Sequence, residues 1–440
     1  MKKNCIIPFF VTHRGCPFQC IFCNQWAIGG VQEKSEESIE QRVKRILCDD
    51  HTKNKRIEVA NEILNKLPPG PVDVRTDKFR RLICVGGTPL FIHGQDFPAN
   101  GPWNGDAYAG GWKLDDIKSH GFNCISLQDN LDITNEQKVL RFENVLNECL
   151  QKNLRVICSV PYRWQSEPIG VLRDKLVEYV HRLKNHPAII AWFIIDEPEL
   201  WWSAKKGNKK PEDLVSLYEA IKKEDPYRPA LVNWCFWPPY GSLKCTDVAS
   251  LDRYPMRYST LQFYPGVVSE VMAQMNKDAA ACGKPVHYFA QEKGYWDLSR
   301  EYSIREQKWM VYASFIMGTR MLTHFEYKPM STSLWEAAKS LTGELETIFK
   351  CTVSPGAREV AQKASGDFIY SLWKTSKGYI LVFANSGDKP VSGTIQLADL
   401  TEKITVGKCK PLTGTGKLSV EKDAVKVSLD GLDCGAYILE

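Results

Sequence analysis

Residues 186–202 read HPAIIAWFIIDEPELWW. From Ile189 to Ile195 the chain is apolar without a break, and it then switches at once to Asp196-Glu197-Pro198-Glu199. An uninterrupted run of β-branched and aromatic residues marks a strand buried on both faces, as in a parallel sheet covered by helices. The carboxylates therefore stand where the strand ends, not along its faces.

Similar runs lie on both sides. Upstream are PLFIHG (89–94), FNCISLQ (122–128) and RVICSVP (155–161). Downstream are ALVNWCF (230–236), DVASLDRYP (247–255), PVHYFAQE (285–292) and RMLTHFEY (320–327). Amphipathic stretches such as LRDKLVEYVHRLKNH and PEDLVSLYEAIKKED separate most of them, and several end in Gly or Asn, a helix-stop signal. The gap between the fifth and sixth strands shows no clear helix. Eight strands alternating with helices predict an α/β fold, a (β/α)8 TIM barrel over residues 81–353, with an open doubly wound sheet as its rival. After Pro355 short alternating segments with turn residues between them (FIYSLWKT, YILVFANS, GTIQLADL, AVKVSLDG) predict a small antiparallel, β-sandwich-like domain over 354–440. Before the barrel, residues 60–80 form a Pro-rich connector followed by a strand-like stretch, and residues 1–59 carry the only cysteine cluster.

Composition narrows the function classes. With 440 residues, 43% hydrophobic and 25% charged, the chain is globular. A net charge of +5, with basic residues spread among nearly as many acids, argues against nucleic acid as a partner. No apolar run reaches the roughly 18 residues that span a bilayer. The apolar patch near the N-terminus is broken by His13 and Arg14 before any cleavage site, and the 15 cysteines, scattered singly outside the N-terminus, fit reduced thiols. A cytoplasmic location is expected; oligomeric state is left open.

In a (β/α)8 barrel the chemistry sits on the loops that follow the strands. The fourth strand ends in Asp196-Glu197, the fifth carries Asn233-Trp234, and the sixth ends in Asp252-Arg253-Tyr254. The seventh ends in Gln291-Glu292 and the eighth in His324-Phe325-Glu326. Two carboxyls across one bond are what glycosidic cleavage needs, one to protonate the leaving oxygen and one to attack the anomeric carbon or activate water. Glu197, Glu292 and Glu326 are the catalytic candidates. Asp196, Asn233, Trp234, Asp252, Tyr254, Gln291, Trp296 and His324 are the substrate-binding candidates, because flat rings cover sugar faces and polar neighbours take hydroxyls. Glu199 is expected to be a plain loop residue, and Trp192 a packing residue. No cofactor is expected for the barrel, and the expected partner is a carbohydrate.

HPAIIAWFIIDEPELWW resembles the fourth strand of the clan of retaining (β/α)8 glycoside hydrolases, RRLICVGGTPLFIHGQDFP its opening hairpin, and GFNCISL its second strand. The resemblance spans about residues 73–350. It implies Glu197 as acid/base and a nucleophile at the end of the seventh strand, which points to Glu292. Two departures stand out. Asp196 replaces an Asn that contacts the sugar 2-hydroxyl, and Gln291 sits where the nucleophile is expected if Glu292 is one residue out. An offset of one reverses a side chain's face; Gly294 offers the chain a place to turn Glu292 inward, and Glu326 is the substitute.

Residues 6–30 hold Cys16-x3-Cys20-x2-Cys23, a spacing that can bind three irons of a [4Fe–4S] cluster. This segment resembles the N-terminal part of Elongator-type radical S-adenosylmethionine enzymes, over about 45 residues, which implies Cys16, Cys20 and Cys23 as cluster ligands and S-adenosylmethionine on the open iron. Val85-Gly86-Gly87-Thr88-Pro89 resembles the glycine-rich strand of some of those enzymes, although the sequence after it fits the hydrolase better. Three functions follow: a glycoside hydrolase first, then a radical enzyme using the N-terminal cysteines, or a barrel that binds carbohydrate without cleaving it.

Overall fold

The computed structural model describes residues 74–78, 80–98, 111–128, 134–159, 167–201, 210–237, 243–256, 262–292, 300–325, 327–354, 356–376, 378–400, 406–421 and 423–440. Pro69–Val353 and Ala357–Glu440 form one compact unit. Among the described residues no helix is long and apolar enough to cross a membrane.

Eight parallel strands close into a barrel. They are β4 (Ile92–Pro98), β5 (Cys124–Gln128), β6 (Arg155–Ser159), β7 (Ile189–Asp196), β8 (Ala230–Trp234), β9 (Val248–Leu251), β10 (Val286–Gln291) and β11 (Thr319–Phe325), each paired with its successor in the chain and β11 with β4. Around them run α1 (Gly111–Ser119), α2 (Glu136–Gln151), α3 (Ile169–Leu183), α4 (Pro211–Glu224), α5 (Pro265–Ala281), α6 (Ile304–Ile316) and α7 (Thr332–Thr352). Among the described residues between β8 and β9 there is only a short 3-10 helix, Leu243–Cys245, where the sequence shows no helical pattern. Local chemistry starts the helices where the apolar pattern asks for them. Asn135 caps α2 by accepting from the Lys138 N–H, and Ser303 and Glu306 form a reciprocal capping box on α6.

A three-stranded antiparallel sheet, β1 (Val74–Asp77), β2 (Leu82–Val85) and β3 (Thr88–Leu90), closes one end of the barrel. Val74 and Ile83 share an apolar cluster with Ile92, Ile157, Phe193 and Met321, which line the barrel's interior. Gly86 and Gly87 are the two-residue turn of the β2–β3 hairpin, with φ of 59° and 72°, values that glycine adopts without strain. That corrects the likeness to a cofactor-binding strand: the glycines serve a hairpin. The first barrel strand is also displaced, from the expected 89–94 to Ile92–Pro98. Only Phe91 separates it from β3, so the sequence offers no turn signal at the boundary.

The pleat decides which side chains enter the barrel. In a parallel pair register partners point the same way, and Asp196, Asn233, Ser250 and His287 are successive partners across β7, β8, β9 and β10. Ala290, His324 and Gln95 form a row across β10, β11 and β4 that faces the helices instead.

C-terminal to the barrel, β12 (Arg358–Lys363), β13 (Phe368–Thr375), β14 (Gly378–Asn385), β19 (Cys434–Leu439) and β16 (Cys409–Gly414) make a five-stranded antiparallel sheet. β15 (Val391–Gln396), β18 (Ala424–Leu429) and β17 (Lys417–Glu421) make a three-stranded one. Phe368, Leu381, Phe383, Ile395, Val425 and Val427 fill the core they share.

Candidate active site

Strand β7 is anchored at its base by a buried ion pair. Arg228 reaches Asp225 at 2.7 Å and donates to the carbonyls of Ile189 (2.8 Å) and His186 (3.1 Å). The Trp192 indole N–H donates to the same Asp225 carboxyl at 2.9 Å, so Trp192 is a packing residue behind the wall. At the strand's other end Asp196 faces the mouth. Regular alternation would send Glu197 the opposite way, but its φ is +40°, in the left-handed region that costs a non-glycine residue roughly 1–3 kcal/mol. The twist is held by the Glu197 N–H bonding the Asn233 carbonyl at 3.0 Å and by the Leu200 N–H bonding the Glu197 carbonyl at 3.1 Å. It brings the Glu197 carboxyl round to Asp252, which follows β9 and is only 6% exposed. One oxygen each from Asp196, Glu197 and Asp252 lies within 4.8 Å of the others, and Glu197 and Asp252 share a hydrogen bond.

Three carboxyls this close cannot all ionise in a poorly solvated site. Burial and the neighbouring acids push Asp252 well above the usual carboxylate range. Burial and the Glu199 charge raise Glu197. Burial and Glu197 raise Asp196 to about 7, against the Asn233 Nδ2–H, which donates to its Oδ1 at 2.8 Å and favours the ionised form. Two carboxyls can hydrogen-bond only by sharing a proton, so the Glu197–Asp252 contact is that of a singly protonated pair, and its titration belongs to the pair rather than to either residue. Asp252 Oδ1 makes no hydrogen bond. Three carboxylate oxygens are also donors that a hard divalent cation accepts, although far short of the roughly 6–8 oxygens calcium takes.

Neighbouring residues trim the mouth. Glu199 is not a plain loop residue: its Oε1 accepts from the backbone N–H groups of Cys235 (2.7 Å) and Phe236 (2.9 Å), tying the 3-10 turn Pro198–Trp201 to the end of β8. Burial and the nearby carboxylates raise the Cys235 thiol, leaving it neutral beside Glu197 and Glu199. Tyr254, half-buried, stacks on Phe325 with centroids 6.1 Å apart and planes at 20°. Burial first, and then the charges of Asp252, Asp196, Glu197 and Asp96, push the Tyr254 phenol well above its usual range. Asp96 of β4 is 1% exposed and lies one residue from Gln95, on the opposite face of the strand from the helix-facing row. Glu199's clamp, Cys235 and Asp96 escape sequence reasoning; Asp96 does so because it lies beyond the 89–94 stretch that the sequence offers as the first strand.

Three expected site residues lie behind the wall. Trp234 follows Asn233 by one and is 1% exposed, in the apolar layer between strands and helices, so it offers no ring to a sugar. His324 is buried in the same layer, its Nε2 2.8 Å from His93 Nε2, and burial holds it neutral by lowering it to about 3. Glu292 does not turn inward. Its N–H bonds the Phe325 carbonyl at 2.7 Å, which continues the β10 ladder through this residue, and its side chain obeys the pleat. Its Oε1 accepts from Gln307 Nε2 of α6 at 2.9 Å and lies 4.0 Å from His324 Nδ1. It is 0% exposed, and burial pushes it up to about 8. Gln291 takes the inward-facing row instead, and its Oε1 accepts from the Tyr302 hydroxyl. Glu326, Trp296, Cys16, Cys20 and Cys23 lie outside the described residues.

Residues 142–289 match the family described as glycosyl hydrolases family 2, TIM barrel domain. The structure is similar to that of a glycoside hydrolase family 5 protein from Bacteroides vulgatus, at 13% identity and a TM-score of 0.57, over 83% of this chain and 93% of that one. It is also similar to the debranching enzyme of Nostoc punctiforme, at 10% identity and a TM-score of 0.51, over 77% of this chain and 90% of that one. No curated protein matches the sequence. At these identities the structural likeness speaks for the fold.

Proposed function

We propose that this chain is a glycoside hydrolase acting on O-glycosidic bonds of a carbohydrate, with Glu197 as acid/base and Asp252 as its partner carboxylate. The observation that carries the reading is the convergence of Asp196, Glu197 and Asp252, within 4.8 Å, at the C-terminal end of a closed parallel barrel. The family match over residues 142–289 and the glycoside hydrolase of similar fold support it.

The chemistry follows from the shared proton. At rest the proton sits by preference on Asp252, the more buried and more strongly raised member; the reacting form has it moved along the hydrogen bond to Glu197, which leaves Asp252 ionised. Glu197 gives its proton to the leaving oxygen as the glycosidic bond breaks, and Asp252 bonds the anomeric carbon through an oxygen such as Oδ1, whose lone pairs are uncommitted. Glu197, now ionised, then takes a proton from water, whose oxygen displaces Asp252. Asp196, engaged by Asn233, remains to accept from a sugar hydroxyl. The Glu197–Asp252 hydrogen bond draws the pair inside the ~5–5.5 Å of double displacement, so the two must part to admit the sugar, and it leaves them far below the ~6.5–9.5 Å that makes room for an attacking water. The reading therefore includes retention of anomeric configuration.

A panel of nitrophenyl glycosides tests it. Turnover of at least one is expected, with Glu197→Gln and Asp252→Asn each lowering kcat by about 10²–10⁴-fold in folded protein. With added azide, Asp252→Ala should give a glycosyl azide of inverted configuration and Glu197→Ala one of retained configuration. A full rate in either isosteric variant overturns the pair. Gln291, inward-facing where a carboxylate was expected, favours a second reading, a barrel that binds sugar without cleaving it; calorimetric binding without turnover would select that one.

A further inference from the structure

Below the carboxylates a row of polar side chains crosses the barrel interior, and the chemistry above leaves most of it unused. Asn233 Nδ2 donates to Asp196 Oδ1 at 2.8 Å, and Ser250 Oγ donates to Asn233 Oδ1 at 2.7 Å. His287 Nδ1 lies 2.8 Å from Ser250 Oγ, and His287 Nε2 lies 3.0 Å from Thr323 Oγ1. Five successive strands, β7 to β11, each supply one member. Ser250, His287 and Thr323 are 0% exposed and Asn233 1%. Polar groups so buried persist only when each donor meets an acceptor.

We propose that Ser250, His287 and Thr323 are positioning residues, a one-way hydrogen-bond relay with His287 held as its Nδ1–H tautomer, which turns the Asn233 amide N–H towards Asp196.

The polarity follows link by link. An ionised Asp196 only accepts, so Asn233 must present its NH2 to it, leaving the amide oxygen for Ser250. Ser250 has one hydrogen, and giving it to Asn233 leaves lone pairs alone to face His287. The nitrogen at that contact, Nδ1, must then carry the proton of a neutral imidazole. Nε2 is left bare and accepts from the Thr323 hydroxyl. The ring is kept neutral because, among the described residues, no carboxylate touches it: Ser250 and Thr323 flank it, and Phe289 meets it edge-on with centroids 4.5 Å apart. Burial alone lowers it to about 3. A histidine free in water favours Nε2–H, so the relay selects the minority tautomer. Reversing any one link would force two donors or two bare acceptors together elsewhere in the row.

The effect on turnover rests on the hydrolase reading; the relay does not, and its test needs no substrate. Protein labelled with 15N-histidine is observed by long-range 1H–15N correlation at pH 8, the His287 signal being identified by its loss in His287→Gln. The expected spectrum shows a protonated Nδ1 and a bare Nε2. In Ser250→Ala the ring loses its Nδ1 acceptor and should pass to Nε2–H, donating to Thr323, and Ser250→Thr should restore Nδ1–H. An Nε2–H or cationic His287 in the unmodified protein overturns the proposal whether or not the variants fold, and so does an unchanged tautomer in folded Ser250→Ala. Loss of glycosidase activity in every assay would leave these spectra untouched, which separates this failure from that of the reaction.

Discussion

Glu292→Gln separates the observed wall from the expected site. Glu292 is fully buried, accepts from Gln307, and titrates at about 8 in the folded chain against roughly 4.3 when unfolded. A carboxyl whose folded value is raised binds its proton more tightly in the native state. Its contribution to stability is fully present below the unfolded value and is lost as pH rises towards the folded one. Within that window the loss approaches about 1.4 kcal/mol per pH unit, and between pH 5 and pH 8, where the slope flattens at both ends, it comes to about 3.5 kcal/mol. Glutamine has the same shape, keeps an oxygen for Gln307 and cannot ionise. Urea denaturation of both proteins at pH 5 and pH 8 should show the variant losing about 3.5 kcal/mol less than the unmodified chain over that interval. Glycosidase activity at neutral pH should survive. Parallel pH dependences would refute the assigned protonation, and loss of activity with intact folding would return Glu292 to the site.

Glu199→Gln keeps an acceptor for the Cys235 and Phe236 N–H groups but removes a charge that raises Asp196, Glu197 and Asp252. The basic limb of kcat/KM should move to lower pH, and an unmoved or alkaline-shifted limb contradicts the electrostatic account. Arg228→Ala strands the buried Asp225 carboxylate and frees the base of β7, which should cost about 3–5 kcal/mol in chemical denaturation; a loss below about 1 kcal/mol would show the anchor to be dispensable.

The barrel was legible because its strands, hidden on both faces, read as apolar runs that no other element explains as well. Its first strand was misplaced because PLFIHGQDFP passes from floor hairpin to barrel wall with only Phe91 between. The strand ends show where sequence reading stops. Glu197 and Glu292 each follow an inward-facing residue by one position, and periodicity treats them alike. The backbone torsion separates them: both N–H groups stay in the ladder, bonding Asn233 and Phe325, but Glu197 leaves the pleat through a left-handed φ, whereas Glu292 does not and its side chain goes to Gln307 of α6. Nothing in DEP or QEK announces that difference. Ser250, His287 and Thr323 escape sequence reading for another reason. Single polar residues inside apolar strands carry no pattern, and their meaning arises only when the closed barrel sets five strands side by side.

The twisted backbone at Glu197 also bears on how such a protein would drift. Glycine fits that conformation with no side chain to crowd it, and it would remove a carboxyl from a crowded acidic pocket, so folding alone favours replacing this residue. A lineage released from whatever the mouth does would be expected to lose Glu197 early and grow sturdier for it. Glutamate at that position thus measures a demand made by chemistry against the interest of the fold.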